Sequence, residues 1–225
     1  MQQLFVLILG MALSLGAVAQ EFRIPSVEEK RSGNWEFTFQ LIRNESEKIE
    51  GGNGSSFDLS SRTGWGFGIV RNMNEHFALG FDFGWVSPKY NAVLTSEDPN
   101  DPDIIINHRA DIITGQFKGV WNILKGSFTP YAEAGLGWTT VDSNVADGPP
   151  VTGCWWHPVW GPVCTNFWNT HSDTNLSYGG GLGLRWEVSR RLLLKASYNL
   201  LIIDADGPQS NPELNSFKLE IGSRY

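Results

Sequence analysis

Long apolar runs are what this chain most plainly lacks. Beyond Ala19 no stretch approaches the roughly twenty consecutive apolar residues of a helical membrane span, so any residence in a bilayer must use strands. Basic charge is in deficit as well. Lys and Arg number 17 against 24 Asp and Glu, a net charge of -7 with a pI near 5.1, which argues against a nucleic-acid partner. No Gly/Ser-rich or Pro-rich linker divides the 225 residues, and no solenoid repeat recurs. One all-β domain, of the size common for sandwiches and barrels, is expected rather than two compact ones. Cysteine occurs only as Cys154 and Cys164. Glycine, at 25 residues, and aromatics, at 12% with 10 tryptophans, are what the chain has in quantity.

The one apolar run, LFVLILGMALSLGAVAQ, ends in Ala17-Val18-Ala19, the small-x-small pattern at which a signal peptidase cuts. Residues 1–19 are expected to be a signal peptide cleaved after Ala19, residues 20–33 a periplasmic N-terminal segment, and residues 34–225 the folded barrel. MQQ lacks the usual basic n-region, and Gln20 after the cut, in place of Cys, argues against a lipid anchor. Export makes a Cys154–Cys164 disulfide the expectation, because oxidised pairs persist outside the cytosol.

Alternation is the clearest signal. In NWEFTFQLI, Trp35, Phe37, Phe39 and Leu41 alternate with Glu36, Thr38 and Gln40, so an extended strand has one apolar and one polar face. The pattern recurs around 65–69, 77–85, 113–121, 131–138, 178–186, 192–200 and 217–225. About eight strands suit an up-and-down antiparallel barrel, whose closure removes the edges. RNMNEH, NILKGS and VSRR are short connections, whereas 44–62, 87–108, 139–174 and 204–215 are long. Short turns at one end and long loops at the other match periplasmic turns and extracellular loops. With the N-terminus in the periplasm, Trp35, Phe77, Trp121, Phe128, Trp186 and Tyr225 fall near the lower rim and Trp65, Trp85, Trp138 and Tyr178 near the upper, as two aromatic girdles.

On these features the chain resembles the eight-stranded outer-membrane β-barrel family, the group of OmpA-like transmembrane domains, OmpX-like and OmpW-like proteins. The ending SFKLEIGSRY is similar to that family's C-terminal strand, and the resemblance makes Phe217, Leu219, Ile221 and Tyr225 the signal read by the barrel-assembly machinery. It implies a Gram-negative outer membrane with lipids and lipopolysaccharide around the barrel. With nothing after Tyr225, cell-wall anchoring is not expected. Two alternatives remain: an OmpW-like conduit for small apolar solutes, and a soluble lipocalin-like binder suggested by Gly33-Asn34-Trp35, which resembles that family's Gly-x-Trp.

An eight-stranded barrel is about wide enough to be filled by its own side chains. The inward set holds Glu36, Asp82, Glu133 and Glu220 together with Lys118, Arg185, Lys195 and Lys218, numbers balanced enough for an internal ion-pair network. Inward glycines are expected to make room for these long side chains. Catalytic and cofactor motifs fail on spacing. The glycines of GGGLGLRW alternate within a strand rather than opening a helix. SEDPNDPD gathers Glu97, Asp98, Asp101 and Asp103 without the Gly and closing Glu of a calcium loop. His171, Ser172 and Asp173 are consecutive, so in extended chain they point to opposite sides. Neither an enzyme, a cofactor nor a metal is expected. Cys154, His157, Cys164 and His171 could ligate zinc or copper in principle, but their spacing is loose and the compartment oxidising.

The segment GCWWHPVWGPVC is the remaining puzzle. Pro158 and Pro162 argue against a helix or central strand, so it is expected to stand outside any sheet as a disulfide-stapled cap on the third extracellular loop. Trp155, Trp156, Trp160 and Trp168 are expected to pack over one another there and to offer a contact surface for a protein, a glycan or lipopolysaccharide. The function expected is a non-enzymatic barrel serving envelope integrity and surface interaction.

Overall fold

The computed structural model describes residues 31–50, 55–95, 104–205 and 211–225. The expected signal peptide, residues 20–30 of the N-terminal segment and the acidic stretch with Glu97, Asp98, Asp101 and Asp103 lie outside the described residues. In chain order the strands are β1 (Trp35–Asn44), β2 (Glu47–Glu50), β3 (Ser56–Leu59), β4 (Arg62–Asn72), β5 (Phe77–Val86), β6 (Lys89–Leu94), β7 (Ile104–Arg109), β8 (Asp111–Asn122), β9 (Phe128–Ala146), β10 (Val151–His157), β11 (Gly161–Phe167), β12 (Thr170–Glu187), β13 (Leu192–Asp204) and β14 (Glu213–Arg224). Eight of them close a barrel in the order β1-β14-β13-β12-β9-β8-β5-β4. Closure is the antiparallel ladder of β1 with β14, from Glu36 opposite Arg224 to Asn44 opposite Ser216.

Alternation decides which side faces where. Along β1 the even residues Glu36, Thr38 and Gln40 are buried inside, while Phe37, Phe39 and Leu41 stand about half exposed outside. The same inversion, polar in and apolar out, runs around the ring with Phe67, Phe117, Leu136, Leu182 and Leu219 on the outer wall. This rules against the lipocalin-like alternative, since a water-soluble barrel puts its apolar face inside. On β9 the stretch from Phe128 to Trp138 climbs about 25 Å at roughly 3.3 Å per residue and a tilt near 40°, the height of an apolar membrane band.

The periplasmic turns are closed by small polar side chains that satisfy free backbone donors. Asn74 Oδ1 accepts from the N–H of His76 at 2.8 Å and of Phe77 at 2.7 Å. Thr129 Oγ1 accepts from Leu124 N–H at 2.8 Å, and Ser189 Oγ from Leu192 N–H at 3.1 Å.

The long connections are not the loops expected from their turn-like composition. β2, β3, β6 and β7 form a four-stranded sheet in the order β2-β3-β6-β7, above β1, β4, β5 and β8 respectively. Half of the barrel wall thus continues beyond the membrane after a break in each strand. Its buried face supplies Leu59, Tyr90 and Ala92 to a cluster with Ala110, Ile112, Ile203 and Leu214, so the extension crosses the mouth and packs on β13 and β14. Phe57 stacks on Tyr90 at 4.6 Å between ring centroids, and Tyr90 donates its hydroxyl to Ser143 O at 3.0 Å.

GCWWHPVWGPVC also departs from expectation, because it does join a sheet: β10 and β11 pair as a hairpin with Cys154 opposite Cys164 and Trp156 opposite Pro162. Two features admit the prolines. Pro158 lies in the turn, which Gly161 closes at φ 72°, and Pro162 sits in a two-stranded sheet where each strand is an edge. Cys154 and Cys164 approach to 4.1 Å between Cα atoms, the spacing of a non-hydrogen-bonded pair; Trp156 and Pro162, two residues on, are of the same type, so the missing N–H breaks no ladder bond.

Inside the barrel, glycine accommodates bulk. A Cβ on Gly183 would come 2.6 Å from the ring of buried Tyr131, and one on Gly68 would meet Asp82, Thr38 and Gln40. Gly183→Val is expected to destabilise the barrel by about 1–3 kcal/mol through overpacking, measured as a lower urea midpoint of tryptophan fluorescence in lipid bilayers. An unchanged midpoint would show that both the Tyr131 ring and the Ala196 carbonyl, also 2.6 Å from that Cβ, have room to shift.

Candidate functional site

The interior is the first candidate site, and its charges lie in two tiers. At the periplasmic end Glu36 accepts from Arg185 Nη2 at 2.5 Å and Nη1 at 3.0 Å, and from Asn72 Nδ2 at 2.5 Å, with Lys195 Nζ 3.2 Å away. Arg185 also donates Nε to Glu187 at 3.1 Å. Higher up, Lys118 Nζ lies 2.7 Å from Asp82 and 3.0 Å from Glu133, and Lys218 Nζ 3.7 Å from Asp82. Glu220 is 4.0 Å from Lys195, and its carboxylate makes no hydrogen bond among the described residues. Structure therefore places all eight inward charges in one lumen, and seven of them in close pairs.

Three members of this network went unrecognised in the sequence. Glu187 accepts from Arg31 Nε at 2.5 Å and from Arg224 Nη1 at 2.8 Å. Glu187 and Arg224 continue the inward alternation of Arg185 and Glu220, so period alone could have found them. Arg31 precedes every strand, and no pattern points to it. Its guanidinium crosses the periplasmic mouth to the carbonyls of Glu75 at 3.3 Å, Leu124 at 2.9 Å and Gly126, drawing two turns together.

Between the upper tier and the apolar mouth cluster lies a cavity of about 60 Å³, lined by Asp82, Lys118, Glu133, Asn199 and Lys218 below and Ile112 and Leu214 above. Such a space holds a few waters rather than a solute. The charges are buried, so each depends on its partners: desolvation of a carboxylate costs several kcal/mol, which only a close counter-ion and hydrogen bonds offset.

The aromatic residues expected as girdles lie toward the two ends of the barrel strands, several of them in register pairs. Phe77 pairs with Trp121 and Phe128 with Trp186 below; Trp65 pairs with Trp85 above, their rings 5.7 Å apart edge to face. Trp35 lies under the guanidinium of Arg71 at 5.4 Å, and Tyr225 packs on Phe37 at 6.0 Å. Trp138 covers Gly115, and Tyr178 on β12 lies opposite Leu136, two residues along β9 from Trp138. Phe217, Leu219, Ile221 and Tyr225 all project outward from the last strand.

The second candidate site is the β10–β11 hairpin, carried by extensions of β9 and β12 past the upper girdle. Cys154 and Cys164 are disulfide-bonded across it. Among the described side chains the expected tryptophan mini-core is not seen: Trp156 and Trp160 are each 74% exposed and Trp168 56%. A two-stranded ribbon offers no second layer to cover them. The Trp155 side chain lies outside what is described.

Removing Glu36 leaves Arg185 with Glu187 alone and Lys195 with Glu220 at 4.0 Å, so Glu36→Ala is expected to cost about 3–5 kcal/mol in urea unfolding. Glu220→Ala, which removes a carboxylate with no close donor, should cost markedly less; equal losses would mean the lower tier is not built on Glu36. Reduction of Cys154–Cys164 should leave the barrel midpoint unchanged while hydrogen exchange rises across 151–167, because the described strands of the hairpin pair with each other and with no barrel strand.

Comparison with known proteins agrees with this geometry. The model of the outer membrane protein beta-barrel domain family matches residues 5–224. The chain is similar to the outer membrane protein OprG of Pseudomonas aeruginosa, with TM-score 0.54, 10% identity and coverage of 86% of this chain and 96% of that one. It is also similar to Ail, the attachment invasion locus protein of Yersinia pestis solved with the heparin analogue sucrose octasulfate, with TM-score 0.50, 13% identity and coverage of 86% and 99%. No curated protein gives a significant match. The polar-in, apolar-out ring of eight strands and the match over nearly its whole length make this chain a member of the outer membrane protein beta-barrel domain family, resident in the bacterial outer membrane.

Proposed function

We propose that the protein is a non-enzymatic scaffold that serves envelope integrity and displays a rigid contact surface to the cell exterior. The observation that carries this is the filling of the barrel from both ends: the Arg31–Glu187–Arg185–Glu36 chain of ion pairs occupies the periplasmic mouth, and the Leu59–Tyr90–Leu214 cluster occupies the extracellular one. A wall with so little open space inside acts through its surfaces. Residues 1–19 direct export and are removed after Ala19, and the outward side chains Phe217, Leu219, Ile221 and Tyr225 are read during insertion. The girdles hold the barrel among phospholipid and lipopolysaccharide. The hairpin, with Trp156, Trp160 and Trp168 exposed, receives an extracellular protein or glycan. Chain length alone lets its tip, Pro158, stand up to about 65 Å above Trp138 at roughly 3.3 Å per residue.

Planar-bilayer recording of the refolded protein tests the proposal. Stable insertion without discrete conductance, with and without reductant, is expected. Discrete openings would overturn the filled scaffold in favour of a solute conduit, and openings appearing only on reduction would assign the gate to the Cys154–Cys164 hairpin.

A further inference from the structure

The outer wall is not uniform at its periplasmic end. Ala196 on β13 lies opposite Leu184 of β12 and Leu219 of β14, so a methyl group is flanked by two isobutyl groups. The result is a groove of about 510 Å³ whose walls are Phe39, Leu184, Trp186, Leu194 and Leu219, with Ala196 as its floor. It descends to the rim at Trp186, which pairs with Phe128. Hydrocarbon alone would fill such a groove without selectivity.

Charge below it supplies the selectivity. The turns that follow β8 and β12 lie side by side, joined by Glu187 N–H donating to Ser127 O at 2.7 Å. They carry Lys125, Arg190 and Arg191, all exposed, and none of the three forms an ion pair among the described residues. The backbone that presents two of these is pinned, since Arg224 donates its N–H to Arg191 O at 2.8 Å and Nε to Arg190 O at 3.2 Å. The turn after β4 instead carries Glu75 and His76. In a chain of net charge -7, three cations therefore gather beneath this apolar groove.

We propose that this corner is a site for one anionic glycerophospholipid of the periplasmic leaflet, with an acyl chain lying over Ala196 and its phosphate between Lys125, Arg190 and Arg191. The site rests on the short turns facing the periplasm, not on whether the barrel conducts, so openings in the bilayer recording would leave it standing.

Native mass spectrometry of the refolded protein in neutral detergent, titrated with phosphatidylglycerol and with phosphatidylcholine of the same acyl chains, tests it. Phosphatidylglycerol should be retained at least tenfold more strongly. Arg190→Ala and Arg191→Ala should each weaken it about fivefold, the effect of one basic residue at an anionic surface, and leave phosphatidylcholine unchanged. Ala196→Phe should weaken both lipids; if it does not fold, as judged by heat-modifiable gel migration, Leu184→Ala, which removes a groove wall, should do the same. Equal retention of the two lipids by the unaltered protein would overturn the proposal. So would displacement of phosphatidylglycerol by equimolar inorganic phosphate, which would leave the groove no part, or a dimer abolished by Ala196→Phe, which would assign the groove to a second copy.

Discussion

In hydrocarbon every backbone N–H and C=O must find its partner within the protein, and the ladder between β14 and β1 is where this chain meets that demand. Opening it would expose two rows of unpaired groups to lipid. Once the ring is closed with eight strands, the interior dimensions follow, and with them the need to fill a narrow space with side chains from alternate positions. The β1–β14 contact joins the first and last barrel strands, so the ring closes only when both are in place.

The same closure explains the internal charges. Each strand must show lipid an apolar face, and a period of two leaves the other face free for polar residues. Polar groups turned inward also fix the register, because a slip of one residue would drive Glu36 or Arg185 into lipid. The cost is desolvation, offset by making the pairs close and shared: Glu36 has two cations and an amide, and Glu187 has three guanidinium groups. Arg31 belongs to this economy too, since it satisfies turn carbonyls that a barrel rim otherwise leaves to water.

Above the upper girdle water returns and the demand relaxes, yet the strands continue. The half of the wall over β1, β4, β5 and β8 folds across the mouth because it has an apolar face to bury against Ile112, Ile203 and Leu214. Val141 and Val145 of β9 still pack on that cluster, but the β10–β11 hairpin beyond them has no such partner layer among the described residues and stands as a ribbon, stapled at Cys154–Cys164. One half of the extracellular region thus closes the barrel and the other displays residues from it.

The eight barrel strands and the side on which their charges lie were legible in the sequence, because a half-buried strand writes a period of two. The extracellular strands were not: β2, β3, β6 and β7 run for only four to six residues beside turn-forming stretches such as GGNGSS and SEDPNDPD, and Pro162 is admitted only by its non-hydrogen-bonded position, which the sequence does not show. Which inward carboxylate serves which cation was equally beyond reach, since Glu36 and Arg185 are brought within 2.5 Å only by ring closure. Local alternation determines the side on which a residue lies, whereas partnership across the lumen, the reach of Arg31 into the mouth and the exposure of Trp156 depend on distances between strands far apart in the chain, which only the folded ring decides.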